Sequence, residues 1–303
     1  MISLFRYICL ATAAISLWAC SSEEAQKPVY LRLDAIYADT DYAEEGSAHQ
    51  RFTTAWVYIN QEPVGAFELP ATVPMIMPEG DSELLIFPGI NTNGIRSFRS
   101  INDAFRPIRI TVTKPIGPGV DTLVLTPEQL TTTYQERYNV VVLEDFDEPG
   151  LAFEKDINSD TNFIRINDRD SIFQFIPQGD TLPEPNNSSG LIILDENNNF
   201  VELASVAAYP ISQGVQNVYL EVTYRTNNTL FFGLIADYPG GSQQAVTAAI
   251  LPKKEWNKIY INLITEIQAF PGANGYKVFL TATKSNEVEQ ARIYLDNLKL
   301  IYE

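Results

Sequence analysis

An all-β fold is predicted by three features of the sequence. Nearly every regular segment is of strand length and mixes apolar with polar residues in alternation. Each is bounded by Pro, Gly or Asp. No stretch sustains the 3.6-residue period of a long helix. At 303 residues the chain has room for two domains of ordinary size.

Taken in order, "VYLRLDAIYA" (29–38) places Leu31, Leu33 and Ala35 on one face, and "AWVYIN" (55–60) follows a polar loop. "ELLIFPGI", "RPIRITVTKPI" and "VDTLVLT" continue the series. "PEQLTTTYQERY" (127–138) is the one candidate for a short helix, and its three threonines argue against it. The second half opens with "VVVLEDFDEPG" (140–150), closes with "ARIYLDNLKLIYE" (291–303), and holds further strand-length segments between them, such as "VYLEVTYRT", "TLFFGLIA" and "WNKIYINL".

In the first half a strand is expected to run to Asn60, "QEPVG" to turn it, "AFELPATVP" to run out and "PEGDS" to turn into "ELLIFPGI". Prolines at 63, 70, 74, 78 and 88 confine these segments to edges and strand ends. Through its V-x-I-N, V-G, L-P-A-T-V-P and P-x-G positions this stretch resembles the PEGA-type β-sandwich of bacterial envelope proteins, which implies a structural or interaction domain over residues 28–138. The acidic E-D-F-D opening, the W-N-K-I-Y-I-N-L strand and the terminal I-Y-L-D-N-L-K-L strand make residues 139–303 similar to the jelly rolls of carbohydrate-binding modules. That likeness implies pairing of the first and last strands, with the boundary near Tyr138.

The N-terminus carries a different signal. "MISLFRY" has one positive charge, Arg6, and "ICLATAAISLW" is an apolar run too short for a membrane span. Leu17, Ala19 and Cys20, followed at once by "SSEEAQK", resemble the lipobox of bacterial lipoproteins, although Trp18 departs from its pattern. The resemblance implies cleavage of residues 1–19, acylation of Cys20 and a lipidated tether over 20–27. Two or three acyl chains hold a protein firmly where one does not. Ser21 in place of Asp implies outer-membrane sorting, and Glu23 and Glu24 resemble the acidic export tag of surface lipoproteins of the Bacteroidota. The expected location is therefore the outer membrane, lipid-anchored, facing the cell surface.

The chain has two cysteines, Cys9 and Cys20, so loss of the first with the signal leaves neither a disulfide nor a thiolate metal site. A net charge of −17 argues against nucleic acid as a partner. Neutral glycans, cations and basic proteins remain compatible with it.

No catalytic residues are assigned. The single histidine, His49, stands in the polar stretch "EEGSAHQ" without a nucleophile motif. The acids of "EDFDE" (144–148) do not match the E-x-D-x-x-E spacing of jelly-roll glycosidases. No cofactor is required, and a structural calcium is the one ion considered. Asp156, Asn158, Asp160 and Asn162 of "DINSDTN" supply oxygens at alternate positions, which suits either a cation loop or Asx turns. Asp145 or Asp147 meeting Asp296 across the terminal strand pair is the second calcium candidate, implied by the jelly-roll likeness. For a sugar, Tyr238 and Gln243 in "ADYPGGSQQ", with Phe270, Asn274 and Tyr276 in "AFPGANGY", offer rings beside amides on loops of a rigid scaffold. Phe231, Phe232 and Tyr260 read as core.

The sequence thus points to a non-catalytic surface lipoprotein that binds carbohydrate through its second domain. The alternative is a structural or assembly component that meets an envelope protein, and a second alternative is a glycan-active hydrolase.

Overall fold

The protein is described by a computed structural model over residues 27–115 and 121–303. The signal segment, the acylation site Cys20 and the tether before Lys27 lie outside the described residues.

The described chain is all-β, with multiple sheets. Its first half holds β1 (Val29–Leu33), β2 (Tyr37–Ala38), helix α1 (Tyr42–Glu45), β3 (Thr54–Ile59), β4 (Glu62–Glu68), β5 (Ala71–Met75), β6 (Asp81–Asn91), β7 (Arg99–Ile101), β8 (Ile108–Thr113), β9 (Thr122–Val124) and β10 (Thr131–Thr132). One sheet runs β5-β1-β9. A second runs β4-β3-β6, with β7 and β8 sharing the far edge of β6, and β2 pairs with β10 in a third, two-stranded sheet. Alternation sets the packing: Leu31, Leu33, Val57, Val73, Leu84 and Ile86 are fully buried, while the residues between them face outward.

One local expectation is corrected and another is met. The turn after β3 is made by Asn60 and Gln61, both at positive φ, and the rest of "QEPVG", from Glu62 on, belongs to strand β4 instead of turning. Two consecutive left-handed residues give the tight hairpin whose twist matches its strands, so no longer turn is needed. Within 127–138, one 3-10 turn at Glu128–Leu130 gives way directly to β10, as the threonine run suggests.

The second half is a sandwich of two sheets built from β11 (Asn139–Glu144), β12 (Phe153–Lys155), β13 (Ile164–Ile166), β14 (Ser189–Leu194), β15 (Phe200–Ser205), β16 (Val218–Thr226), β17 (Leu230–Tyr238), β18 (Gly241–Ile250), β19 (Lys253–Asn262), helix α2 (Ile264–Ala269), β20 (Gly275–Thr283) and β21 (Ala291–Tyr302). The inner sheet runs β13-β14-β21-β16-β19, with β11 beside β14 along one edge of β21. The outer sheet runs β12-β15-β20-β17-β18. The first and last strands pair, Asn139 opposite Tyr302 and Val141 opposite Leu300. Between the sheets lies a core of Ile192, Leu220, Val222, Phe232, Leu234, Val278, Leu280 and Leu300, among others.

The back of the inner sheet is covered by the first half of the chain. Tyr219, Tyr260 and Ile301 belong to the core of the first half, although they come from the second. Beside them an ion pair is fully enclosed: Lys258 Nζ lies 2.5 Å from Glu221, which also accepts a 3.0 Å hydrogen bond from Tyr134. Lys299 donates to the carbonyl of Ser47 at 2.6 Å, and the Tyr260 hydroxyl accepts from the backbone of Arg51. His49 is drawn into this seam, 3.1 Å from the Thr223 hydroxyl and tilted against Phe173 and Phe175.

Candidate functional site

The front of the outer sheet is open to solvent. Its inward positions, including Leu203, Leu234, Val278 and Leu280, fill the core, so the alternate residues face out. Register aligns these in rows across four strands. Glu202, Thr281, Phe231 and Ala249 form one row, and Ala204, Phe279, Gly233 and Val246 the next. Lys277, Ile235 and Gln244 form a third.

The result is an apolar strip flanked by hydrogen-bonding groups. Phe231 is 36% exposed and Val246 52%. Phe279, on the same face, is fully covered. A Cβ on Gly233 would strike the Ala245 carbonyl and come within 2.6 Å of the Phe279 ring, so only glycine lets that ring lie over the strand. Gln244 donates to Glu202 at 3.2 Å, although β17 and β20 lie between them. Side chains that meet across three strand spacings of about 4.8 Å require the sheet to curl toward this face. Lys277 reaches Glu154 at 3.1 Å on the other flank. Phe231, read from sequence as core, is the ring this face presents; the core position belongs to its neighbour Phe232.

The five residues expected to bind sugar gather at one end of the same sheet. Ala236 stands opposite both Gln243 and Tyr276, and Tyr238 closes the β17–β18 hairpin. Their rings, however, are turned inward. Tyr276 is 1% exposed; its hydroxyl donates to the Phe270 carbonyl at 2.8 Å and accepts from Gln213 at 2.5 Å. That corrects its assignment as a platform, because an interior ring with a satisfied hydroxyl meets no ligand. Phe270 ends α2 and packs on the core, as does Tyr238, whose hydroxyl points to the Pro271 carbonyl at 3.4 Å. Gln243 and Asn274 stay exposed, with the Asn274 amide tied to the Asp237 carbonyl.

The acidic candidates are used as hydrogen-bond acceptors. In the loop 156–162, Asp156 accepts from both the backbone and side-chain amides of Asn158. Asp160 accepts from the backbones of Asn199 and Phe200, and Asn162 from Phe163. The Asp156 bond to the Asn158 backbone is an Asx turn, whereas Asp160 ties the loop to the start of β15.

Asp147 and Asp296 are brought together through the adjacent Asn186 and Asn187. Asn186 donates to Asp296, and the Asn187 backbone donates to Asp147, each at 2.9 Å. Asp296 is enclosed, and desolvation pushes its carboxyl well above the usual range, with Asp147 adding to the rise. Its two oxygens already take four donors, from the Asn297 backbone and side chain, Asn186 and Ser189. A carboxylate whose lone pairs are filled does not fit a calcium ligand. Among the described residues, no three His, Cys, Asp or Glu side chains form a metal cluster.

The sequence matches no protein-family model and no curated protein. Similar solved structures include the enzymatically active domain of bacteriophage CBA120 tailspike protein 4, at 9% identity and a TM-score of 0.35 over 50% of this chain, which spans 19% of that protein. A mutant of a family 29 carbohydrate-binding module is 10% identical, with a TM-score of 0.33, over 55% of this chain and 92% of the module. TmCBM61, in complex with β-1,4-galactotriose, is 12% identical, with a TM-score of 0.30, over 50% of this chain and 87% of that one. Carbohydrate-binding modules with an all-β fold are thus among the structures this chain is similar to.

Proposed function

We propose that this chain is a non-catalytic, surface-anchored lipoprotein that binds a neutral glycan on the front of its second sandwich. The observation that carries the reading is the curled outer sheet, where Phe231, Ile235 and Val246 form an apolar strip between Glu202, Gln244 and Lys277. A pyranose presents an apolar face to such a strip and hydroxyls to the acids and amides beside it. In this reading the PEGA-like first half is a spacer, and acylated Cys20 holds the assembly to the outer membrane.

The test is titration of residues 28–303 against neutral polysaccharides. Saturable binding that weakens at least about tenfold, or about 1.4 kcal/mol, in Phe231→Ala is the expected result. Silence across the panel from a folded sample overturns it. Mass spectrometry of the membrane-extracted protein, looking for a diacylglycerol on Cys20, tests the anchor separately.

A further inference from the structure

The back of the inner sheet is not covered to its end. Beyond the seam, where β16, β19 and β21 run past the first half of the chain, lies a hollow of about 600 Å³, within the usual range for small-ligand sites. Its wall carries Arg225, Lys253, Lys254 and Arg292 against one carboxylate, Asp170. Among the described residues, no carboxylate lies within 4.0 Å of any of the four cations. In a chain of net charge −17 an unneutralised basic hollow stands out from its surroundings.

Its central cation is held in place. The Arg225 guanidinium lies 4.2 Å from the centre of the Tyr294 ring and 5.4 Å from that of Trp256, and it donates to the Ser171 carbonyl at 3.0 Å. Stacking between rings fixes the plane of the fork without neutralising it. The backbone makes room: three residues of β19 (254–256) stand opposite the single Arg225 of β16, because the register slips between Tyr224 and Thr226. That bulge turns Trp256 onto Arg225 and opens the hollow at Lys253 and Lys254. A smaller, neighbouring hollow shares Lys253 and adds Arg51, which extends the positive surface toward the seam.

We infer that this hollow binds a multiply charged carboxylate ligand, supplied by an acidic sugar chain or by a free polycarboxylate. A preset arginine fork with lysines around it matches carboxylate groups, and the absence of internal ion pairs leaves that charge for a ligand. The site lies on the opposite sheet from the Phe231 strip and does not depend on it.

Calorimetric titration of residues 28–303 with oligogalacturonate and with citrate tests the inference. Saturable binding of either probe is expected, and the one that binds identifies the source. Affinity should fall at least about tenfold in Lys253→Glu/Lys254→Glu, two exposed positions whose change leaves the fold intact. It should weaken steeply as salt rises from about 20 to about 300 mM, and it should be unchanged in Phe231→Ala. Arg225→Lys, which keeps the charge and loses the stacked fork, should weaken binding without abolishing it. No saturation with either probe, equal binding of a neutral oligosaccharide by the Phe231→Ala variant, in which the front strip is disabled, or full affinity in the charge-reversed variant would overturn the assignment.

Discussion

The two exterior faces of the second sandwich are built by the same rule and meet opposite fates. On the outer sheet, strand β18 leaves Ser242, Gln244 and Val246 in solvent, and the face stays open. On the inner sheet, strand β16 presents Tyr219, Glu221 and Thr223 by the same alternation, yet all three are buried against the first half of the chain. Polar residues at alternate positions therefore mark the side away from the core without marking solvent. The covered face uses its polar groups in a closed network, Lys258 to Glu221 to Tyr134, whereas the open face keeps Glu202, Gln244 and Lys277 within reach of water.

The contrast can be broken most severely at the covered face. Lys258→Ala leaves Glu221 enclosed without its partner, and unfolding in denaturant should show a loss of about 3–5 kcal/mol. Replacing both residues by apolar ones of similar volume should restore most of that loss. If the single variant is as stable as the parent, the seam is not closed in solution.

A pH dependence comes next. Enclosure, then repulsion from Lys258, pushes Lys299 down to about 7 from an ordinary value of 10.5. Between those values the unfolded chain holds a proton on Lys299 that the folded chain lacks. Stability attributable to this residue therefore rises with pH across that window, by up to about 1.4 kcal/mol per pH unit. Unfolding measured from neutral to alkaline pH should show the rise, and Lys299→Met should flatten it.

On the open face the effects are smaller. Gly233→Ala forces a Cβ into the Ala245 carbonyl and the Phe279 ring, at a cost of about 1–3 kcal/mol. Amide exchange should report the disturbance in β17 and β18 more than at the seam. Gln244→Ala removes one exposed hydrogen bond over the curled sheet and should change stability by no more than about 0.5 kcal/mol. A large loss there would mean that the Gln244–Glu202 bridge sets the curvature instead of following it.

The basic hollow shows why net charge was a partial guide. Its cations come from three strands far apart in sequence, at positions 225, 253, 254 and 292, and each is unremarkable where it stands. A total of −17 averages over them. Trp256 is part of the same arrangement, because the group packed on its ring is an arginine. The loop aromatics misled for a related reason. Gly/Pro loops beside amides describe Tyr238, Phe270 and Tyr276 correctly as loop-flanking, and only the third dimension turns their rings onto the core.

What the sequence determined by itself was the kind of structure. Strand-length alternation with turn residues at each end dictates sheets, and a two-residue period fixes which side chains share a face. The pairing of β11 with β21 is what the jelly-roll resemblance of the second half implies, and the two strands do pair. What only the tertiary structure decided was which faces remain in water. Alternation is a property of one strand, whereas coverage depends on another part of the chain arriving at that face. So Phe231 became the exposed ring and Glu221 the enclosed acid, each against the hydropathy of its side chain.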